Sequence, residues 1–446
     1  MSSIWFYLYL AVAVAIGWSC ARRIRTPDDY YVAGRGAGTV YLAGSLLATI
    51  LGSSAILGSI DLGYEKGWAG AWLLLCGAIG LLALLPLVKV VAEFRGYNLS
   101  MLIGTFYGDA VKKFSGAVIA VAWLGVIGAQ IIGAAKITSG MFGISYLRSA
   151  WAIGLTLTFY TAAGGQFSII RTDVLQTLVI FLGLLPVGAV LFWRHPSLEA
   201  APMFSPSFRV FDLIAMLFSY SSTFLVGPDI YSRLFCAKDA GTAKKAVLIT
   251  VLLLIFMGFL LAFIGICGAR CHAKASGSIL FTLAGREFPP GATLLLYFSM
   301  LSAIMSSADT TLFTAGGLLS QFFHGEMDSL RSVKITKCCT AALGVLAILI
   351  AIRFNSILGV LLFALGVSAG AFVVPVLWGL AGFASDRRYA LAAIVAGGSL
   401  ALAGKLLGGT AGTALFIAAF PVDLAILALG RLPGDRTART DSRGTD

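Results

Sequence analysis

Charge is scarce in this chain: Asp, Glu, Lys and Arg make up 12% of its 446 residues, and histidine occurs three times. So little charge beside 59% hydrophobic residues and a mean hydropathy of +0.93 excludes a soluble fold, whose core never needs that much apolar surface. The seven cysteines follow no metal-ligand spacing, and most fall where thiols stay reduced. Only Cys267 and Cys271 are placed to pair near the outer surface, and a separation of four is awkward for a disulfide on a helix. Long polar stretches, low-complexity linkers and short-period repeats are missing too, so function must reside in the apolar helices themselves.

What remains is a polytopic helical membrane protein. A window of about 19 residues gives thirteen apolar spans, near 3–20, 38–62, 67–92, 114–142, 149–165, 173–193, 211–231, 246–269, 291–321, 335–353, 356–380, 389–408 and 412–430. The net charge of +12 would point to nucleic acid in a soluble protein; here it is a topology signal, and no nucleic-acid partner is expected. With the N-terminus outside, the inner segments hold 22 of the 32 Lys and Arg, the outer ones nine, and Lys136 lies within a span. This predicts a cytoplasmic C-terminus, with residues 431–446 as a polar tail, in a plasma membrane of the bacterial inner-membrane type. No Lys or Arg precedes the first span and Arg22, Arg23 and Arg25 follow it, so it reads as an uncleaved helix rather than a signal peptide.

The most polar stretch inside a span is Ser302-Ala303-Ile304-Met305-Ser306-Ser307-Ala308-Asp309-Thr310-Thr311. Hydroxyls and carboxylates in lipid are costly unless they meet a partner, a cavity or an ion. At helical spacing Ala303, Ser306, Ser307 and Thr310 share one face, with Asp309 at its edge. Such hydroxyls also serve as back-bonds to the preceding turn and ease helix packing. Two spans carry interruptions: Gly52-Ser53-Ser54 in the second and Gly227-Pro228-Asp229 in the seventh. Five spans apart, these two helices enter the membrane from opposite sides, as an inverted repeat of two five-helix halves requires. Broken helices in matching positions expose backbone carbonyls and amides at the midplane; the same residues also suit a simple kink.

Taken together, Asp29-Tyr30-Tyr31-Val32-Ala33-Gly34-Arg35, Gly164-Gly165, Thr172-Asp173-Val174-Leu175-Gln176, Arg233 with Ala237-Lys238-Asp239, and the Ser306-Ser307 cluster resemble one family across most of the chain. That family is the sodium/solute symporters, which include sodium-coupled sugar, proline, pantothenate, sialic acid and choline carriers. The resemblance implies an all-α LeuT-type fold of 5+5 inverted repeats with about 13 transmembrane helices. Residues 1–37 are then an extra helix and loop, 38–380 the transporter core (38–193 and 211–380 as its halves), and 381–430 two additional helices. It implies a main Na⁺ site from the carbonyls of Ala48, Leu51 and Ala303 with the hydroxyls of Ser306 and Ser307. Hard neutral oxygens of this kind suit an alkali cation. A second Na⁺ site, present in some members, maps onto Asp173, Ser306, Asp309 and Thr310; Asp173 also fits a helix N-cap.

The solute pocket implied beside the breaks holds Ser53, Ser54, Ala55, Leu74, Gln130, Tyr220, Thr223 and Phe224. With Ala55, Leu74, Tyr220 and Leu254 where the sugar carriers place polar contacts, a ring of hydroxyls would be left unpaired. Tyr220 and Phe224 instead suit an apolar or cationic small organic solute, or are packing. Lys136 and Lys405 are expected to snorkel to the interface, and Asp423 to pair with a neighbouring helix or hold a proton. Asp229 and Arg233, one turn apart, read as an intrahelical pair or an inner gate. His195, His272 and His324 stand alone in loops, and no span holds a histidine to activate a serine, so an enzyme is disfavoured. The expected function is Na⁺-coupled symport by alternating access, with a solute sensor or proton-coupled symport as alternatives. Nothing in the sequence fixes an oligomeric state.

Overall fold

A computed structural model of the chain describes residues 3–195, 203–204, 206, 208–271, 278–325, 327–353 and 357–431, with the backbone alone for 357–365. The expected tail after Arg431, and His272 and Lys274, lie outside these residues. The fold is all-α. α1 (Ile4–Ala21) and α2 (Pro27–Val32) precede a core that opens with α3 (Thr39–Ile50) and α4 (Ser53–Lys66). Next come α5 (Trp72–Leu84), α6 (Val88–Glu93), α7 (Leu99–Tyr107), α8 (Asp109–Phe142) and α9 (Tyr146–Arg194). The second half holds α10 (Val210–Met216), a π-helical turn (Leu217–Ser221), α11 (Ser222–Leu225), α12 (Pro228–Leu234) and α13 (Ala240–Cys271). It continues with α14 (Ile279–Glu287), α15 (Pro290–His324), α16 (Leu330–Arg353) and α17 (Ile357–Leu380). Finally, α18 (Arg387–Leu407) and α19 (Gly409–Leu429) pack on each other and on α17.

Ten helical stretches among the described residues are long and apolar enough to cross a membrane, and Thr39–Ile50 and Gly366–Leu380 are shorter apolar helices. Every expected span falls on helix. The count differs because α9 contains two expected spans, because α4 and α5 form one stretch across a 3₁₀ turn, and because the span expected at 356–380 is represented among the described residues by the shorter Gly366–Leu380. Within α9 the connection expected at 166–172 is helical, and the only non-helical residue is Gly165, which sits at φ 53°, a region that favours glycine, where a Cβ would lie 2.6 Å from the Tyr30 carbonyl oxygen. Helix resumes at once, so Asp173 is an interior helical residue rather than an N-cap. The hydroxyl-rich α15 is the central column, packed by α9, α8, α16 and α3, and its residues 299–321 are almost all buried. Large apolar side chains such as Val121, Leu252 and Trp193 remain exposed, as lipid-facing helix surfaces require.

The Asp29–Arg35 segment ties the loops at one end of the bundle. Thr26 and Asp29 form a capping box, with Pro27 in the first helical turn of α2. Arg35, at φ 50°, donates to the carbonyls of Phe94 (3.0 Å), Arg95 (3.0 Å), Gly96 (3.2 Å) and Phe235 (3.3 Å). Ala37 pairs with the chain after α12: its N–H donates to Cys236 O at 3.0 Å and its carbonyl accepts from Lys238 N–H at 3.2 Å. One arginine thus satisfies carbonyls from both halves of the core, which offsets its unfavourable backbone.

Candidate functional site

Both expected breaks are present. α3 stops at Leu51 (φ −76°, ψ 43°), Gly52 is extended, and α4 starts at Ser53. The other lies at Val226 and Gly227, with Pro228 opening α12. The first break faces α15 directly. Ser306 Oγ donates to the Ala48 carbonyl at 2.8 Å and approaches the Ala303 carbonyl at 3.2 Å. Ser307 Oγ stands 3.3 Å from the Thr49 carbonyl and 3.2 Å from that of Ala303. A Cβ on Gly52 would lie 2.7 Å from Ser307 Oγ, so only glycine permits this approach. Leu51, as the C-cap of α3, leaves its carbonyl beyond the last helical turn. Each hydroxyl has one hydrogen for two carbonyls, so its own lone pairs and the second carbonyl stay available to a cation. The serine face that also suits back-bonding here does both: each hydroxyl spans its own helix and the broken one. The Thr49 carbonyl is the oxygen at this junction that sequence reasoning missed; a backbone oxygen carries no side-chain signal.

The four residues expected at the second site come together with a fifth. Asp173 Oδ2 accepts from Arg233 Nη2 at 2.8 Å and from Ser45 Oγ at 2.5 Å; both charged side chains are fully buried. The same guanidinium donates from Nε to Ser45 Oγ (2.8 Å) and Ser45 O (3.1 Å), from Nη1 to the Asp229 carbonyl (3.0 Å), and from Nη2 to Thr310 Oγ1. Asp309 accepts from Tyr160 Oη at 2.8 Å and from Thr310 Oγ1 at 3.2 Å. The expected Asp229–Arg233 ion pair is therefore corrected. Arg233 takes only the backbone oxygen of Asp229, and the Asp229 carboxylate takes the indole N–H of Trp123 at 2.9 Å. The reason is burial: an arginine sealed from water needs a matched carboxylate and several acceptors, and Asp173 with Ser45 and Thr310 supplies them. Asp173 Oδ1 is buried without a hydrogen-bond partner.

Beside the breaks lies a cavity of about 940 Å³, lined by Ser53, Ser54, Gln130, Tyr220 and Thr223 among others. Those are five of the eight residues expected there. Ala55, Leu74 and Phe224 are buried in helix packing instead; Phe224 stacks edge-on against Tyr220 at 5.0 Å and packs on Gly77 of α5. Lys136 and Lys405, expected at the lipid interface, both line the cavity, as do Asp61, Asp212 and Ser219. Their signal is in the sequence, since a lysine in an apolar span faces either the interface or an aqueous cavity, but pattern alone does not choose. Asp423 finds no side-chain partner; both its oxygens are unpaired and packed against Gly397. Cys267 and Cys271 are free thiols, and Cys271 Sγ lies 3.3 Å from His195 Nε2.

The family model for the sodium:solute symporter family matches residues 30–201. The high-affinity proline transporter PutP of Bacillus subtilis (strain 168) is 22% identical, over 86% of this chain and 87% of its own. The sodium/pantothenate symporter of Escherichia coli (strain K12) is 23% identical over 88% of each chain. Among solved structures, a Na⁺-coupled sialic acid symporter in a substrate-bound outward-open state superposes with a TM-score of 0.77, at 17% identity over 94% of this chain and 96% of that one. Mhp1, a nucleobase-cation-symport-1 family transporter in a closed conformation, gives 0.64 at 15% identity over 91% and 95%. Both are LeuT-fold transporters, and the chain shares that fold. Motifs, end-to-end relatives and architecture coincide: the chain is similar over most of its length to sodium:solute symporters, whose family model matches residues 30–201, and this likeness supports Na⁺-coupled carriage of a small organic solute rather than catalysis.

Proposed function

We propose that the coupling Na⁺ binds where the carbonyls of Ala48, Thr49 and Leu51 meet Ala303, Ser306 and Ser307, and that the solute enters the cavity between Ser53, Gln130 and Tyr220. The ion and the solute then share one element, the break at Leu51-Gly52. With Na⁺ bridging α3 to α15, the start of α4 is held against the cavity; without it the two serine hydrogen bonds span the break, beside the Arg233 guanidinium that links Ser45 to Thr310. Na⁺ must tighten solute binding by the factor with which solute tightens Na⁺ binding. Release inward follows when the Arg35 loop lets go of the carbonyls it holds. The charge distribution supports an N-terminus outside and a C-terminus in the cytoplasm of a bacterial-type plasma membrane, with import as the direction.

At the second position we take the Arg233 guanidinium, in contact with Asp173 and Thr310, as the resident cation, which gives one transported Na⁺ per cycle. A second Na⁺ is the competing reading, favoured by the unpaired Asp173 Oδ1. The observation that carries the main site is the pair of serine hydroxyls reaching the carbonyls of a broken helix. Na⁺ alone tests it. Relative to K⁺, Na⁺ should raise the thermal midpoint of the purified protein, as any ligand selective for the folded state does, and Ser306→Ala and Ser307→Ala should abolish the difference. Equal stabilisation of wild type and both variants would place the ion elsewhere.

A further inference from the structure

Four charged side chains line the cavity, and they are not equally committed. Asp61 holds the start of α14, accepting from Ser278 Oγ at 3.2 Å and the Ile279 N–H at 3.3 Å. Asp212 holds the start of α10, accepting from the Arg209 N–H at 2.8 Å. Lys136 enters from α8. Lys405 enters from α18, a helix outside the inverted repeat, and among the described residues it pairs with no carboxylate. Its ammonium lies 5.2 Å from the centroid of Phe416 on α19. The stem is seated: a Cβ on Gly366 would stand 2.6 Å from Lys405 Cε and 3.3 Å from Cγ, so the absent side chain on α17 is the groove that takes it.

We infer that Lys405 is the anion-recognising residue of this cavity and that the transported solute carries a carboxylate on a mostly apolar body. The inference rests on the reading of this cavity as the solute's path. An ammonium facing a largely apolar wall is unfavourable by itself and becomes favourable when an anion meets it. Asp61 and Asp212 are engaged by the helix starts they hold, which leaves the Lys405 ammonium as a charge able to meet a solute anion. A polyol would leave hydroxyls unpaired, because the uncharged polar side chains facing the cavity near the breaks are Ser53, Ser54, Gln130, Ser219, Tyr220 and Thr223. Lysine offers a single point charge on a flexible stem, a contact that forms and breaks without the two-point geometry of a guanidinium. Glycine at 366 keeps that stem aimed along the wall.

The test is binding to the purified full chain in Na⁺, read as thermal stabilisation, over a panel of small aliphatic and aromatic monocarboxylates, amino acids, the corresponding amides and quaternary amines. At least one carboxylate should stabilise the protein while its amide does not. Lys405→Met should weaken that carboxylate at least tenfold, Lys405→Arg should restore part of it, and Gly366→Ala should weaken it without changing the charge. Stabilisation by Na⁺ alone should be unchanged in all three, which shows them folded. A Lys405→Met protein that binds the carboxylate as tightly as wild type overturns the inference. So does a panel in which no carboxylate binds. Tyr220→Ala separates the two levels: if it weakens the ligand and Lys405→Met does not, the cavity stands and the lysine falls. If neither weakens it, the cavity reading falls as well.

Discussion

A single hydrogen atom in place of a methyl group lets the break at Gly52 approach Ser307 of α15. Gly52→Ala would put a Cβ within 2.7 Å of Ser307 Oγ, so it should remove Na⁺-dependent stabilisation as fully as Ser307→Ala while leaving helix content unchanged by circular dichroism. Retention of the Na⁺ effect in that variant would show that Ser307 is no ligand. Arg233 supports a different forecast. Truncating one partner of a buried ion pair typically costs about 3–5 kcal/mol, because the survivor stays buried and unpaired. Asp173→Asn should therefore lower stability sharply yet leave a one-site Na⁺ saturation curve with its midpoint shifted less than about threefold, or roughly 0.7 kcal/mol. A change in the order of that curve would instead favour a second Na⁺ at Asp173.

The segment from Thr26 to Arg35 ties both halves of the core together at one end of the bundle, and its chemistry is pH-sensitive. Partial burial of Asp29 pushes its carboxyl up, but the N–H groups of Arg25 and Thr26 and the Thr26 side chain outweigh this and hold it below the usual carboxylate range. A depressed carboxyl stabilises the fold above its unfolded value, near pH 4, and the contribution is lost as pH falls through the folded value. Between pH 5 and 3 the thermal midpoint of wild type should fall more steeply than that of Asp29→Asn; parallel slopes would remove the capping box from the account. Arg35→Ala should free four carbonyls at once and make the inner end more accessible, seen as faster labelling of an introduced cysteine at Lys238, which is exposed and adjoins Ala37.

Much of this element plan is legible in the sequence, and the reason is physical. Apolar runs of span length and Gly or Pro breaks are local signals, so residue order suffices to place both interruptions and the serine column. Local signals stop at the element's edge. Arg233 and Asp173 lie 60 positions apart, and nothing local distinguishes a partner one turn away from one on another helix. The junction at Gly165 resembles a loop because two glycines and polar residues cluster there; it shrinks to one residue because Tyr30 packs into the space. Lys405 is costly in lipid, as its place in an apolar span implies, but it avoids lipid at a different boundary from the expected one, since α18 turns that face to a cavity.

For the whole molecule the arrangement of basic residues predicts sidedness. Asp109 and Ser145 are exposed at opposite ends of α8, the first in a segment assigned to the cytoplasm and the second to the outside. A membrane-impermeant maleimide added to right-side-out vesicles should label Ser145→Cys and not Asp109→Cys, above the background of the native thiols. The reverse pattern would invert the topology.

With Arg233 as the resident cation of the second position, there would be a ceiling on how far the protein can concentrate its cargo. A fixed positive charge stays with the helix instead of crossing, so each monocarboxylate would travel with one Na⁺ and no net charge. Voltage, which contributes about 2.3 kcal/mol per charge per 100 mV, would then do no work in the cycle. A tenfold sodium gradient alone would bound accumulation at about tenfold, the equivalent of roughly 1.4 kcal/mol.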